Sequence, residues 1–313
     1  MQAKDTLINL DDSSFIKDSK VKLINTGNDI QLRLAQWPPS TGTEPKGTVL
    51  IVQGYSEFIE KYEEVVSEFR DKGYSVVAYD SRGQGLSTRF ISDFHKGYVD
   101  SYSAMVNDLQ QVYDEVVSTL PRPHILLAHS MGGNVSMRFL QEKKPVFDHA
   151  FLSAPMLAWN EPVGAVSMLA SALVFLGRGE KYAIGAGPPN SDIKAAISER
   201  LSSDKNRVNK VASYCAKEAR LWMGGPTWQW VKEASKSILV AVTKANCVKV
   251  TTSTTILSPL DDVVISGANH KTLASYNKNI ECIEFTGAKH EILIEEDIHR
   301  EKFWNTFHSV FPK

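Results

Sequence analysis

A chain of 313 residues has room for one large α/β domain with an insertion, or for two ordinary domains. Its 42% hydrophobic and 23% charged residues are those of a globular protein with a sizeable core, and a formal net charge of −1 gives nucleic acid no general polyanion-binding surface. Residues 1–20 mix charged and apolar positions and lack the continuous apolar stretch of a signal peptide. Cys215, Cys247 and Cys282 are too scattered for a disulfide framework or a zinc site, and they read as buried free thiols in a reducing compartment, the cytoplasm.

In chain order, Val21–Asn25 and Ile30–Gln36 are strands joined by the turn-forming Thr26-Gly27-Asn28-Asp29, and Pro38-Pro39 ends the hairpin. Thr48–Gln53 is an apolar run of the kind buried on both faces of a parallel sheet. Helix and strand then alternate. Glu57–Lys72 reads as a helix, Tyr74–Tyr79 as a strand, Ser101–Leu120 as a helix and His124–His129 as a strand. Met131–Lys143 is the next helix and His149–Ser153 the next strand. That alternation predicts βαβ units and a mostly parallel sheet with helices on both faces.

The rhythm breaks at Ala154-Pro155. Residues 156–245 carry helical patterns only, and alternation returns with the strand Thr252–Ser258, a helix around His270–Tyr276, the strand Ile280–Thr286 and the helix Ile298–Val310. The expected organisation is therefore an α/β core made of residues 1–155 and 246–313, with residues 156–245 inserted as a helical cap.

The chemistry concentrates in HILLAHSMGG, residues 124–133, where a buried strand runs into Ser130 and then opens a helix. This is a nucleophile elbow in the context that it requires, and the tight turn needs small residues two before and two after the serine, here Ala128 and Gly132. A nucleophilic serine needs a histidine base and an orienting carboxylate, which in this arrangement follow in the order acid, then histidine. His290 lies directly after a strand in Gly287-Ala288-Lys289-His290-Glu291, whereas His270, His299 and His308 fall on amphipathic helices. His129 adjoins the serine, but its side chain is expected to point away from the hydroxyl. The acid should end the preceding strand, where Asp261, followed by x-Val-Val, is the better match. Asp262 is its rival, with a turn or helix-capping carboxylate as the plainer reading. Gly54 after the Thr48–Gln53 strand allows close backbone approach, so the N–H groups of Tyr55 and Met131 are the expected oxyanion donors.

The segments QGYSEFIEKY (53–62), YDSRGQGLS (79–87), HSMGGN (129–134), SPLDDVV (258–264) and GAKHEIL (287–293) together resemble the monoacylglycerol lipase and bacterial lysophospholipase family. The resemblance implies an α/β-hydrolase fold, with Ser130 as nucleophile, Asp261 as acid, His290 as base, and Tyr55 and Met131 as oxyanion donors. Gln53 and Phe58 stand where many monoglyceride-cleaving members have histidine, which tilts the expectation towards lysophospholipids. The Asp80–Gly85 loop reads as structural, with Arg82 paired inside the fold.

Four of the six tryptophans, Trp159, Trp222, Trp228 and Trp230, lie in the expected cap. So does the uncharged run from Pro162 to Gly177, which is shorter than the ~20 apolar residues of a membrane-spanning helix. This run is apolar on several faces. It is read either as a helix packed between core and neighbours or as the wall of an acyl-chain tunnel whose rim touches a membrane. Lys205, Arg207 and Lys210 are read as a solvated face, with attraction of a phosphate headgroup as the alternative. The expected activity is hydrolysis of single-acyl-chain lipid esters through an acyl-enzyme. No metal or organic cofactor is implied, since neither HExxH nor clustered Cys/His ligands occur.

Overall fold

The computed structural model describes residues 1–10, 14–27, 29–190 and 199–312. Among the described residues eight strands form a single sheet: β1 (Lys20–Asn25), β2 (Gln31–Trp37), β3 (Gly47–Val52), β4 (Tyr74–Tyr79), β5 (His124–His129), β6 (His149–Ser153), β7 (Ser253–Pro259) and β8 (Ile280–Phe285). Their order across the sheet is β1-β2-β4-β3-β5-β6-β7-β8. Only β2 runs antiparallel to its neighbours, so β3 to β8 form a parallel sheet.

Every residue of β3, β4, β5 and β6 is buried, because helices cover both faces. Alternate residues serve two separate cores. Leu50, Val52, Leu126, Ala128 and Leu152 face one layer, which includes α2 (Tyr102–Glu115) and α3 (Ser130–Glu142). Val49, Ile51, Ile125, Leu127 and Phe151 face the other, with α1 (Glu63–Asp71) and, near the end of the chain, the helix Asp297–Val310. Ser101 starts α2 by accepting the N–H groups of Ser103 and Ala104, a cap worth about 1 kcal/mol.

From β3 the chain goes first to β4 on one side and then, through α2, to β5 on the other. The crevice beyond the carboxyl ends of β3 and β5 is thus a topological switch point, where open α/β sheets hold their sites.

Between β6 and β7 the described residues form helices and no sheet strand: α4 (Val163–Leu173), α5 (Lys205–Lys217) and α6 (Trp228–Ala241) are the longest. Helix α7 (Ala268–Tyr276) lies between β7 and β8, and α8 (Asp297–Val310) follows β8. Among the described residues no helix is long and apolar enough to cross a membrane. Cys215 and Cys247 are buried, and Cys282 is partly exposed.

Two expectations need correction. Glu57 does not begin a helix: it lies in a turn before the short 3-10 helix Ile59–Tyr62, and α1 starts only at Glu63, because the Glu57 carboxylate folds back onto the Gly54 N–H. On α5, Arg207 and Lys210 are paired with carboxylates instead of forming a merely solvated face. Arg207 pairs with Glu64, Asp204 and Asp297, and Lys210 pairs with Glu63.

Candidate active site

Ser130 lies where β5 gives way to α3, with a left-handed φ of 49°. Such a conformation costs a non-glycine residue about 1–3 kcal/mol and persists only where its surroundings fix it. Here the Ser130 carbonyl accepts the N–H of Met156 at 2.9 Å, and the helix behind it is pressed against β3. A Cβ on Gly132 would lie 2.4 Å from the Val52 carbonyl oxygen and 2.5 Å from that of Gln53, so only glycine fits there.

His290 follows β8 through a turn at Gly287, whose φ is 82°. Its Nδ1–H donates to Asp262 Oδ2 at 2.6 Å, and because a carboxylate only accepts, this fixes the tautomer. Nε2 is then the acceptor that faces the Ser130 hydroxyl at 2.9 Å. The other Asp262 oxygen accepts the N–H groups of Val264 at 2.8 Å and Ile265 at 3.2 Å. Burial pushes the Asp262 carboxyl upward, but its bond to His290 and those two amides outweigh it and hold the group below the usual carboxylate range.

The structure thus brings Ser130 and His290 together, and the carboxylate that meets His290 is that of Asp262 and not of Asp261. Asp261, favoured from the sequence, is exposed, and it meets this region only through its backbone N–H on the Ala288 carbonyl at 3.2 Å. Strict strand alternation from the buried Pro259 would turn Asp261 inward. Instead β7 ends at Pro259, Leu260 and Asp261 both face outward, and Asp262 is the first residue of the turn to face His290.

The loop after β3 is held from two sides. Gln84 donates its amide to the Gly54 carbonyl at 2.7 Å and accepts the Ser56 N–H at 3.3 Å. Tyr55 rests its ring on Trp230, with centroids 4.8 Å apart, and donates its hydroxyl to the Gly224 carbonyl at 2.9 Å. Gly54 is obligatory, since a Cβ there would lie 2.8 Å from His129 Nδ1. Met131 is the second residue of α3, so its N–H has no partner inside the helix. The Asp80–Gly85 loop therefore shapes the site through Gln84, while its Arg82 pairs with Asp108 and Asp100.

Sequence reasoning passed over a buried group behind Ser130. Glu57 accepts from Gly54, from Lys61 at 2.6 Å and from Tyr62 at 2.6 Å, and it faces His129 Nδ1 at 2.8 Å. Lys61 also reaches Glu291, the residue after His290, at 2.6 Å. A usable signal was the Glu57/Lys61 spacing of four beside Gly54. His270, by contrast, has both ring nitrogens engaged, by Ser258 Oγ and the Pro155 carbonyl. Gln53 and Phe58, the two departures from the monoglyceride pattern, are both buried; the Gln53 amide has no partner among the described residues. Among the described residues no cluster of three or more His, Cys, Asp or Glu is placed to hold a metal ion.

Solved structures with the same architecture include a soluble variant of monoglyceride lipase from Saccharomyces cerevisiae, 16% identical with a TM-score of 0.73 over 93% of this chain and 94% of that one. A thermostable carboxyl esterase from Bacillus coagulans is 17% identical, with a TM-score of 0.72 over 94% and 97%. The fold they share with this chain is that of the α/β-hydrolases. The family described as serine aminopeptidase, S33, matches residues 43–297, and lysophospholipase L2 of Escherichia coli K12 is 30% identical over 80% of this chain and 76% of its own. Monoglyceride lipase of Rattus norvegicus is 32% identical over 55% and 52%. The chain belongs to the S33 family of serine hydrolases.

Proposed function

We propose that this chain is a lysophospholipase in which Ser130 is the nucleophile, His290 the base and Asp262 the orienting acid. The observation that carries the reading is the unbroken hydrogen-bond relay from the Ser130 hydroxyl through both nitrogens of His290 to Asp262. Ser130 Oγ attacks the ester carbonyl while His290 Nε2 takes its proton, and Asp262 stabilises the imidazolium that forms. The backbone N–H groups of Tyr55 and Met131 hold the oxyanion, each such donor being worth about 3 kcal/mol in the transition state. His290 then protonates the departing alcohol. Water, deprotonated by the same nitrogen, cleaves the acyl-enzyme to release fatty acid and regenerate Ser130.

A single acyl chain suits the surroundings. Met131, Met156 and Leu157 belong to one apolar cluster, against which Tyr55, Trp159, Val163 and Val166 pack while remaining partly open. The outer side of α4 and the turns after it leaves Phe175 90% and Ile184 84% exposed, beside exposed Met168 and Leu176. That apolar rim supports contact with a lipid surface, since a patch of this kind is unusual on a surface facing only water. The preference for lysophospholipid over monoglyceride rests on the longer match to lysophospholipase L2, because the buried Gln53 and Phe58 do not present themselves to a headgroup.

The test is a panel of esters from acetyl to palmitoyl with matched lyso- and diacyl-phospholipids and monoglycerides, run on the wild type and Ser130→Ala. Ser130→Ala should lose about 10⁵-fold or more in kcat. Efficiency of the wild type should climb with chain length, each added CH₂ contributing up to ~0.8 kcal/mol until the site is full. Substantial turnover by Ser130→Ala would remove the mechanism. A flat chain-length series would leave a general carboxylesterase, and faster monoglyceride cleavage would replace the headgroup assignment.

A further inference from the structure

Alternation along β5 turns the His129 side chain away from Ser130 and onto the sheet face that carries Ile125 and Leu127. There it is buried between two oxygens. Nδ1 lies 2.8 Å from Glu57 Oε1, and Nε2 lies 3.2 Å from the carbonyl oxygen of His290. Neither partner has a proton to give. A backbone carbonyl only accepts, and the Glu57 carboxylate already accepts from the Gly54 N–H, the Lys61 ammonium and the Tyr62 hydroxyl. A neutral imidazole would leave one bare ring nitrogen facing an oxygen lone pair in a site that water does not reach.

We propose that His129 is an imidazolium at neutral pH whose two N–H groups clamp the His290 backbone to Glu57, which makes His129 and Glu57 positioning residues for the base. The inference rests on the reading of His290 given above. Charge balance agrees with it. The groups facing His129 are Glu57 and Tyr62 from the segment after β3, Lys61 from the same segment, and His290 and Glu291 from the loop after β8. With His129 charged, Glu57 and Glu291 are matched by Lys61 and His129; with His129 neutral, one buried negative charge is left over. Burial pulls His129 downward, but the Glu57 charge outweighs it and raises the group above its ordinary value. Burial likewise pushes Glu57 up, yet His129 and Lys61 hold it well below the carboxylate range.

One carboxylate therefore joins three parts of the site. Glu57 holds the Gly54 loop that presents the Tyr55 N–H, it holds the residue preceding Ser130, and through Lys61 it holds the residue following His290. Because the folded value of His129 is raised, the clamp is complete at lower pH and is lost as pH rises through that value. Glu57→Gln lowers it, so the alkaline limb of kcat should move to lower pH.

The protonation state can be read in the full-length protein with ¹⁵N-labelled histidine rings. At about pH 8 an unperturbed histidine has lost its second proton. The wild type should still show one ring with protons on both nitrogens, and Glu57→Gln should abolish that signal. In the same variant kcat should fall by about 10²-fold, the scale of a base displaced by about an ångström. Its KM should change by less than about twofold, since no substrate contact is removed. Absence of any doubly protonated ring in the wild type at about pH 8 would overturn the proposal, and that spectrum decides the matter even if Glu57→Gln fails to fold. The spectrum reads protonation and not turnover, so its failure is distinct from an active Ser130→Ala, which would strike the catalytic reading alone.

Discussion

Two groups of buried charge lie within one turn of chain from each other and do different work. Arg33 on β2 is fully enclosed and reaches Glu60 at 2.7 and 2.8 Å and Asp80 at 2.7 Å; Asp80 also accepts the N–H groups of Ile59 and Leu86. That cluster ties the segments after β3 and β4 to β2, and its cation is a guanidinium that stays charged at every ordinary pH. The charges around Ser130 are just as buried, but each cluster there contains a histidine: His290 with Asp262, and His129 with Glu57. Burial and pairing alone do not separate a frame from a site. What separates them is whether the paired groups hold the reacting atoms.

The contrast can be broken at one residue on each side. The largest effect belongs to the site. Asp262→Asn should keep the fold while lowering kcat by about 10⁴-fold, because an amide at this position no longer fixes the His290 tautomer. Asp261→Asn should leave kcat within about twofold of wild type, since its side chain faces solvent. Steady-state kinetics on the two variants side by side reads the ranking directly, and the reverse order would return the acid to Asp261.

A smaller effect, and of another kind, is expected in the frame. Arg33→Met leaves Glu60 and Asp80 buried without their cation, a loss of about 3–5 kcal/mol in stability. Urea denaturation should show it as a lower midpoint, whereas kcat per folded molecule should stay within about threefold of wild type. A large fall in kcat with unchanged stability would erase the distinction between the two regions.

Most of the frame was legible because its strands are buried on both faces and therefore read as short apolar runs. Thr48–Gln53 was expected and Gly47–Val52 formed; His124–His129 and His149–Ser153 formed as read. Ser130 stood out because a strand, a tight turn and a helix meet at a small-x-Ser-x-Gly pattern, and His290 because it follows a strand in a glycine turn. The acid was harder. Which of two adjacent aspartates meets His290 depends on where β7 leaves its extended path, and that is set by the Leu260 and Asp261 N–H groups bonding to Phe285 and Ala288, partners from the end of β8 and the loop after it. Glu57 was read as helix for a similar reason. Its local sequence favours helix, and the Gly54 N–H three residues earlier together with His129 from elsewhere in the chain turns it inward. Arg207, seen as surface charge, pairs locally with Asp204 but finds its other carboxylates on α1 and at the start of α8, which no local pattern reveals.

The proposed mechanism requires Ser130 as the nucleophile, and covalent labelling tests that most directly. The intact protein would be treated with a fluorophosphonate, which phosphonylates a serine only when an adjacent base and oxyanion donors activate it. Peptide mass spectrometry should find one adduct per chain, on the peptide that carries His129-Ser130-Met131, and Asp262→Asn should slow its formation while Asp261→Asn should not. An unlabelled protein, or an adduct on any other serine, would contradict the account.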